Sequence, residues 1–277
     1  MATQILTLSE NTVRRRGMVA EHGVAFLVQT SESTILFDTG QGHALTHNAR
    51  HLGVDLRSIQ SVVLSHGHFD HTGGLHHLLE SIGSRPVLAH PDALAQKYSV
   101  RKGEVRSIGM PQPRDVLERS GATFCLHKEP LVVAPGITAT GFVPRVTDFE
   151  HVGAHFQTGT EGELRQDTIL DDQSVIVETA GGPVVILGCA HAGLINTLLY
   201  ATKLTGSNHF CAVIGGTHLV DADEERMRRT LEALASFDIE QIAPCHCTGF
   251  KGQVALSQAF GKQYVENNVG SRFEFGD

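Results

Sequence analysis

Long hydrophobic runs are missing from this 277-residue chain. No apolar stretch approaches the roughly 18 residues of a membrane helix, so no such span is expected. Residues 1–11 carry no basic region followed by an apolar core, so no signal peptide is read. Cysteine is scarce and odd in number, with five residues at 125, 189, 211, 245 and 247. Without a signal peptide, that count implies reduced thiols in a cytoplasmic protein. Positive charge is short as well. The formal net charge of −8 argues against a general nucleic-acid or anionic-membrane partner. There is no Walker motif and no dinucleotide fingerprint, and Gly215-Gly216 resembles a phosphate-cradling turn only loosely. Cys245-His-Cys247 has no second pair at matching spacing, so a structural zinc site is not expected there. Cys245 and Cys247 are read as buried packing.

What is present is the composition of a packed globular protein, 41% apolar and 19% charged. A single domain over 1–277 is expected. Strands are predicted at Ile5–Ser9, Gly23–Thr30 and Thr34–Phe37, with a hairpin turn at Ser31-Glu32-Ser33. A helix follows over His43–Leu52, then a buried strand over Ser61–Ser65 and a helix over Leu75–Ile82. Pro86–Ala89 reads as a strand and Pro91–Tyr98 as a helix opened by proline. Residues 99–150 are punctuated by Pro and Gly and read as an irregular, cleft-covering insertion; 150–172 reads as a mobile loop. The second half is regular. Strands are expected at Ser174–Thr179, Pro183–Leu187, Phe210–Ile214, Ile239–Ala243 and Ser271–Phe275, and helices at Gly193–Lys203, Asp223–Phe237 and Gly252–Tyr264.

The chemistry concentrates in His66-Gly-His68-Phe-Asp70-His71, between the Ser61–Ser65 strand and the Leu75 helix. The two imidazoles two residues apart can converge on one cation, and Asp70 with His71 can reach a second. Imidazole with carboxylate suits zinc, iron or manganese better than calcium, which takes oxygen shells. A histidine-rich surface loop is the plain alternative; spacing, carboxylate and strand–loop–helix context argue against it. His76 and His77 follow on a helix with no such pattern.

Seventeen histidines is a high count, and their placement matters more than their number. Apolar strands run into histidine-bearing loops at His66, His191, His218 and His246. In α/β sheets ligands bind at the carboxyl ends of strands, so four such loops can close on one site. Cys189, close to His191, could also reach a metal.

These residues resemble the metallo-β-lactamase superfamily, through His66-x-His68-x-Asp70-His71 and the upstream Phe37-Asp38-Thr-Gly40. Within it the chain looks like the branch containing dihydropterin–ribofuranosylaminobenzene phosphate synthase. The matching pieces are Pro144-Arg-Val-Thr-Asp-Phe-Glu150, Gly188-Cys-Ala-His191-Ala-Gly, Gly215-Gly-Thr-His218-Leu, Pro244-Cys-His246-Cys-Thr-Gly and Val269-Gly-Ser-Arg-Phe-Glu-Phe275. The resemblance implies an α/β fold, a four-layer αββα sandwich. It also implies two divalent transition-metal ions, zinc first with iron or manganese possible, held by His66, His68, Asp70, His71, His191 and His246. The superfamily usually places a bridging Asp where Leu187-Gly-Cys-Ala-His191 stands here. Glu150, His151 and His155 are the upstream residues available for a missing ligand.

The expected activity is hydrolysis of a small ester, a phosphoester or related activated bond, by a metal-bound hydroxide. Asp70 and His218 are the expected catalytic residues, Asp70 orienting the nucleophile and His218 donating to the leaving oxygen or a substrate phosphate. Arg145, Glu150 and His218 are expected to touch the small-molecule substrate. Two alternatives stand beside this. One is a pterin-diphosphate condensing transferase, for which Arg145, Arg101 or Lys102 could meet the diphosphate. The other is a non-catalytic metal-binding regulator.

Overall fold

The computed structural model describes residues 3–160 and 162–276. Two sheets carry the fold. One has seven strands, in the order Arg272–Phe275, Thr3–Ser9, Ala25–Gln29, Thr34–Phe37, Ser61–Val63, Arg85–Ala89 and Ala122–Leu126. The other has six, in the order Ile242–Cys245, Ala212–Gly216, Val184–Leu187, Ser174–Val177, Ile137–Ala139 and Leu131–Ala134.

Alternation along these strands builds the layers, because successive side chains of a strand point to opposite faces. Ile5, Phe26, Val28, Ile35, Phe37 and Val63 of the first sheet pack against Val175, Val177, Val184, Ile186 and Ile214 of the second. Their neighbours face outward. Leu6, Leu27, Leu36 and Val62 bury against Leu45, Ala49, Leu75, Leu78 and Leu79 of the helices Leu45–His51 and Leu75–Ile82. On the far side Val185, Leu187, Val213 and Ile242 meet Leu194, Leu198, Leu234 and Leu256 of three further helices, Leu194–Thr205, Glu224–Leu234 and Gly249–Phe260. The result is the helix–sheet–sheet–helix order expected of the family, with the continuous core between the sheets. Among the described residues, no helix is long and apolar enough to cross a membrane.

Three expectations need correction. Pro91–Tyr98 is not a helix. Pro91–Leu94 makes one 3₁₀ turn, with the His90 ring accepting from the Asp92 amide, and the chain then extends as Lys97–Arg101. Residues 150–172 contain two paired strands, Phe156–Thr160 and Glu163–Gln166. These join Lys97–Arg101 and Glu104–Ser107 in a four-stranded sheet of their own. Finally, residues 99–150 are not an irregular cover throughout. Ala122–Leu126 is a parallel edge strand of the first sheet, and Leu131–Ala134 with Ile137–Ala139 completes the second. Only the hairpin at its start reaches the cleft, through Ser99, Arg101 and Ile108. The reason is common to all three. Each of these regions has a strand that pairs with a partner distant in sequence, such as Ser99 with Phe156, Leu88 with Cys125 and Ile137 with Val177, and local periodicity carries no trace of that pairing.

Candidate metal centre

Val184–Leu187, Ala212–Gly216 and Ile242–Cys245 are adjacent parallel strands, so their carboxyl ends share one edge. The loop after Ser61–Val63 meets that edge from the facing sheet. A cleft of about 380 Å³ opens there, walled by His68, Asp70, Cys189, His191, His218 and His246. His66 and His71 are fully buried beside it. Reversing several strand ends into the cleft requires unusual backbone. Asp38, Ala190, His218 and His246 all adopt positive φ, between 48° and 61°. Non-glycine residues hold such angles only where the surroundings enforce them, and they cluster at functional sites.

Two sets of donors face each other. Ligand atoms of His66, Cys189 and His191 lie within 4.8 Å of one another, as do those of His71, Cys189 and His246. His68 joins the first set, its Nδ1 being 2.9 Å from His66 Nε2. Asp70 joins the second, with Oδ2 3.3 Å from His246 Nε2 and 3.8 Å from His71 Nε2.

The donors are held from behind. Asp38 accepts from the Ser65 amide and hydroxyl and lies 2.7 Å from His71 Nδ1. A carboxylate on one ring nitrogen fixes the tautomer and frees the other nitrogen for a cation. Glu10 accepts from the His246 amide, and Asn11 Oδ1 lies 2.9 Å from His246 Nδ1. Asp171 accepts from the Gly67 amide with one oxygen and from Lys97 with the other. Gly67 cannot be larger, since a Cβ there would stand 2.2 Å from the Ala93 carbonyl oxygen.

Electrostatics divides the imidazoles. Burial holds His66 and His191 well below the usual histidine range, and holds His68 at about 3, so all three are neutral donors. At His71 burial acts in the same direction, but Asp38 and Asp70 outweigh it and raise the group to about 9. Burial would raise the Asp70 carboxyl, yet His71, His22 and His246 hold it well below the usual carboxylate range. The second half of the site is therefore arranged to hold positive charge.

The residues fit a bound cation. His68 Nε2, both ring nitrogens of His191 and His218 Nδ1 are buried without a hydrogen-bond partner. Each such atom costs about 1–3 kcal/mol unless something engages it. Four unpartnered imidazole nitrogens around one cleft are what a metal would satisfy.

Arg145 and Glu150 do not reach the cleft. Arg145 donates to the Ile169 carbonyl and faces Asp172 and Asp171, which attract its charge. Glu150 is buried under the helix Leu194–Thr205 and accepts from the Ile195 and Asn196 amides and the Thr147 hydroxyl. Gly193, at the start of that helix, supplies no side-chain cap. It has φ +110°, and a Cβ there would meet Glu150 at 2.3 Å, so the glycine is what lets the carboxylate approach. Both residues brace the loops around the cleft. Glu150→Ala is expected to leave the two helix amides unpaired and cost about 1–3 kcal/mol. Metal content should stay unchanged. Denaturant unfolding and elemental analysis of the purified variant check this pair of outcomes.

His218 is on the cleft wall, its ring centroid 4.2 Å from that of His191 and its Nδ1 unpartnered. Arg101 also lines the cleft, bound to Asp221 and to His155 at 2.8 Å each. Lys102 is exposed at the hairpin turn beyond it. All five cysteines are free. Cys247, read as packing, is buried but borders the cleft, within reach of Cys189 and His218. Sequence reasoning missed the supporting residues Glu10, Asn11, Lys97 and Asp171, and underweighted Cys189. A signal existed only for Cys189, which falls where the bridging residue of the family is expected.

Comparisons with known proteins agree with this fold. The pattern of the metallo-β-lactamase superfamily matches residues 19–246. A 7,8-dihydropterin-6-methyl-4-(β-D-ribofuranosyl)-aminobenzene-5′-phosphate synthase of Methanocaldococcus jannaschii is 28% identical over 92% of this chain and 90% of its own length. An uncharacterised protein of the same organism, MJ0448, is 32% identical over 96% and 98%. The crystal structure of Tm1679, a metal-dependent hydrolase of the β-lactamase superfamily, superposes with a TM-score of 0.86 at 28% identity, covering 99% of this chain and 100% of that one. By its four-layer fold, its His66–His71 loop and this matched span, the chain belongs to the metallo-β-lactamase superfamily.

Proposed function

We propose that the protein is a dinuclear metal-dependent hydrolase of a small ester, most simply a phosphoester or a related activated bond. The observation that carries this reading is the pair of donor sets meeting on one cleft with unpartnered imidazole nitrogens. His66, His68 and His191 would hold one cation, and Asp70, His71 and His246 the other. Imidazole and carboxylate donors suit zinc, with iron or manganese as the alternatives. Bound there, the cations lower the pKa of water toward about 7 and polarise the electrophilic oxygen.

The remaining work belongs to side chains of this chain. The Asp70 carboxylate, ionised in the cleft, accepts a hydrogen bond from the attacking water and orients it. His218 donates a proton to the leaving oxygen from the opposite wall. Phe156 and Ile108 make an apolar side to the cleft and exclude bulk water. Arg101 offers a guanidinium, pre-oriented by Asp221 and His155, to an anionic group of the substrate.

A second reading is favoured by the synthase of M. jannaschii, which matches 92% of this chain. In it the same site would promote condensation with loss of diphosphate. Against it, Arg101 is the one Lys or Arg among the residues walling the described cleft, a thin provision for two phosphates. The metal-loaded protein is expected to carry about two cations per chain and to hydrolyse aryl phosphodiesters. His191→Ala should lose metal, and His218→Ala should keep metal and lose turnover. Elemental analysis and parallel assays decide the matter. Diphosphate release that requires an aminobenzene acceptor, without ester hydrolysis, would establish the transferase instead.

A further inference from the structure

We infer that Cys189 is a thiolate ligand shared by both cation positions, the residue that joins the two donor sets into one dinuclear centre. The inference rests on the metal-dependent reading above and adds a sulfur to its ligand set. Cys189 Sγ is common to the group with His66 and His191 and the group with His71 and His246. No other side chain of those two groups is shared between them. Its Sγ lies 3.1 Å from His71 Nε2, and its residue is 3% exposed.

Independent observations point the same way. His191, two residues on, is buried with both ring nitrogens unpartnered. The backbone makes room for the thiol. Ala190 takes φ +52°, and with that turn both Cys189 and His191 line the cleft. Gly216 on the neighbouring strand has no Cβ, which would stand 3.2 Å from Cys189 Cα and 2.7 Å from Cys247 Sγ. Asp38, a fully buried carboxylate beside His71, is already engaged by Ser65 and His71. Cys247, the other thiol here, is committed elsewhere: it accepts from the His218 amide and donates to the Cys189 carbonyl.

A thiolate in this position has a chemical consequence. Sulfur donors favour zinc, cobalt or ferrous iron over magnesium or manganese. On coordination the Cys189 S–H bond gives its proton to solvent and its electron pair to the cation, with no change of oxidation state.

Cobalt(II) added to the metal-stripped, full-length protein tests this directly. Wild type should take up about two cobalt ions and develop the near-ultraviolet sulfur-to-cobalt charge-transfer absorption. Cys189→Ser should lose that band and bind cobalt at least about tenfold more weakly. Cys247→Ser should keep it. Cys189→Asp, which restores an anionic donor, should hold two cobalt ions without the band, with circular dichroism showing a native fold. A band that survives in Cys189→Ser, or two cobalt ions bound by wild type with no band, would overturn the inference and leave the hydrolase reading intact. The band present without ester hydrolysis would do the reverse.

Discussion

Asp70→Ala is expected to reduce turnover by at least about 10² while the protein remains folded. The physical grounds are local. The Asp70 carboxylate is buried, and its Oδ2 stands 3.3 Å from both His22 and His246. It contributes nothing to the apolar core. What the fold takes from this residue is its backbone carbonyl, which accepts from the Val24 amide and leaves a Cβ at Gly23 no space, at 2.3 Å. Alanine keeps that carbonyl and removes only the charge. Without it the second cation loses an anionic donor and the attacking water loses its acceptor. Steady-state kinetics on the metal-loaded variant, alongside elemental analysis and thermal melting, measures the effect. Near-normal turnover in a folded variant with full metal would show that Asp70 has no catalytic role.

Lys97→Met is expected to destabilise the fold by about 3–5 kcal/mol. Lys97 is 1% exposed. Its Nζ lies 2.9 Å from Asp167 and 2.8 Å from Asp171, which are themselves buried. Removing the ammonium takes the direct ion-pair partner from two buried carboxylates and leaves them only the longer-range attraction of Arg145. The damage also reaches the centre, because Asp171 holds the Gly67 amide between His66 and His68. Lys97 stands at the base of the hairpin whose Ser99 and Arg101 wall the cleft, so one buried ion cluster ties that hairpin to the metal loop. The pH dependence follows from linkage. Burial would lower the Lys97 pKa, but Asp171 and Asp167 raise it above the ordinary 10.5. A raised basic group stabilises fully below its unfolded value and loses that contribution only as pH climbs through the folded one. The gap between wild type and Lys97→Met should therefore be complete at neutral pH and narrow only in strong alkali. Urea unfolding at pH 7 and above pH 10.5 tests both statements.

Some of this protein was determined by its sequence alone, because the information is short-range. His66, His68, Asp70 and His71 fall within six residues between an apolar strand and an amphipathic helix, although Asp70 and His71 sit on a one-turn helix, Phe69–Thr72, that the loop reading did not include. Histidines closing four apolar runs marked His191, His218 and His246 as neighbours in space before any contact was known. Asp223 before an acidic first turn announced a helix, and its carboxylate does cap the Arg226 amide. The apolar runs Ser174–Thr179 and Pro183–Leu187 announced strands, and Ser174–Val177 and Val184–Leu187 form there. Tertiary structure alone decided the rest, and each case involves partners far apart in the chain. Glu150 looked like a ligand until the helix beginning at Leu194 was brought over it, 45 residues on, and took its oxygens as a cap. Lys97 and Asp171 are 74 residues apart, and nothing local distinguishes a buried lysine from a solvated one. The strands between 97 and 166 contain pairings between distant segments, such as Phe156 with Ser99, which periodicity does not encode. The sulfur of Cys189 lies among histidines from three loops only because the ends of two sheets meet there. Local pattern sets which groups a strand end presents; the packing of one sheet on the other sets which of those groups face one another.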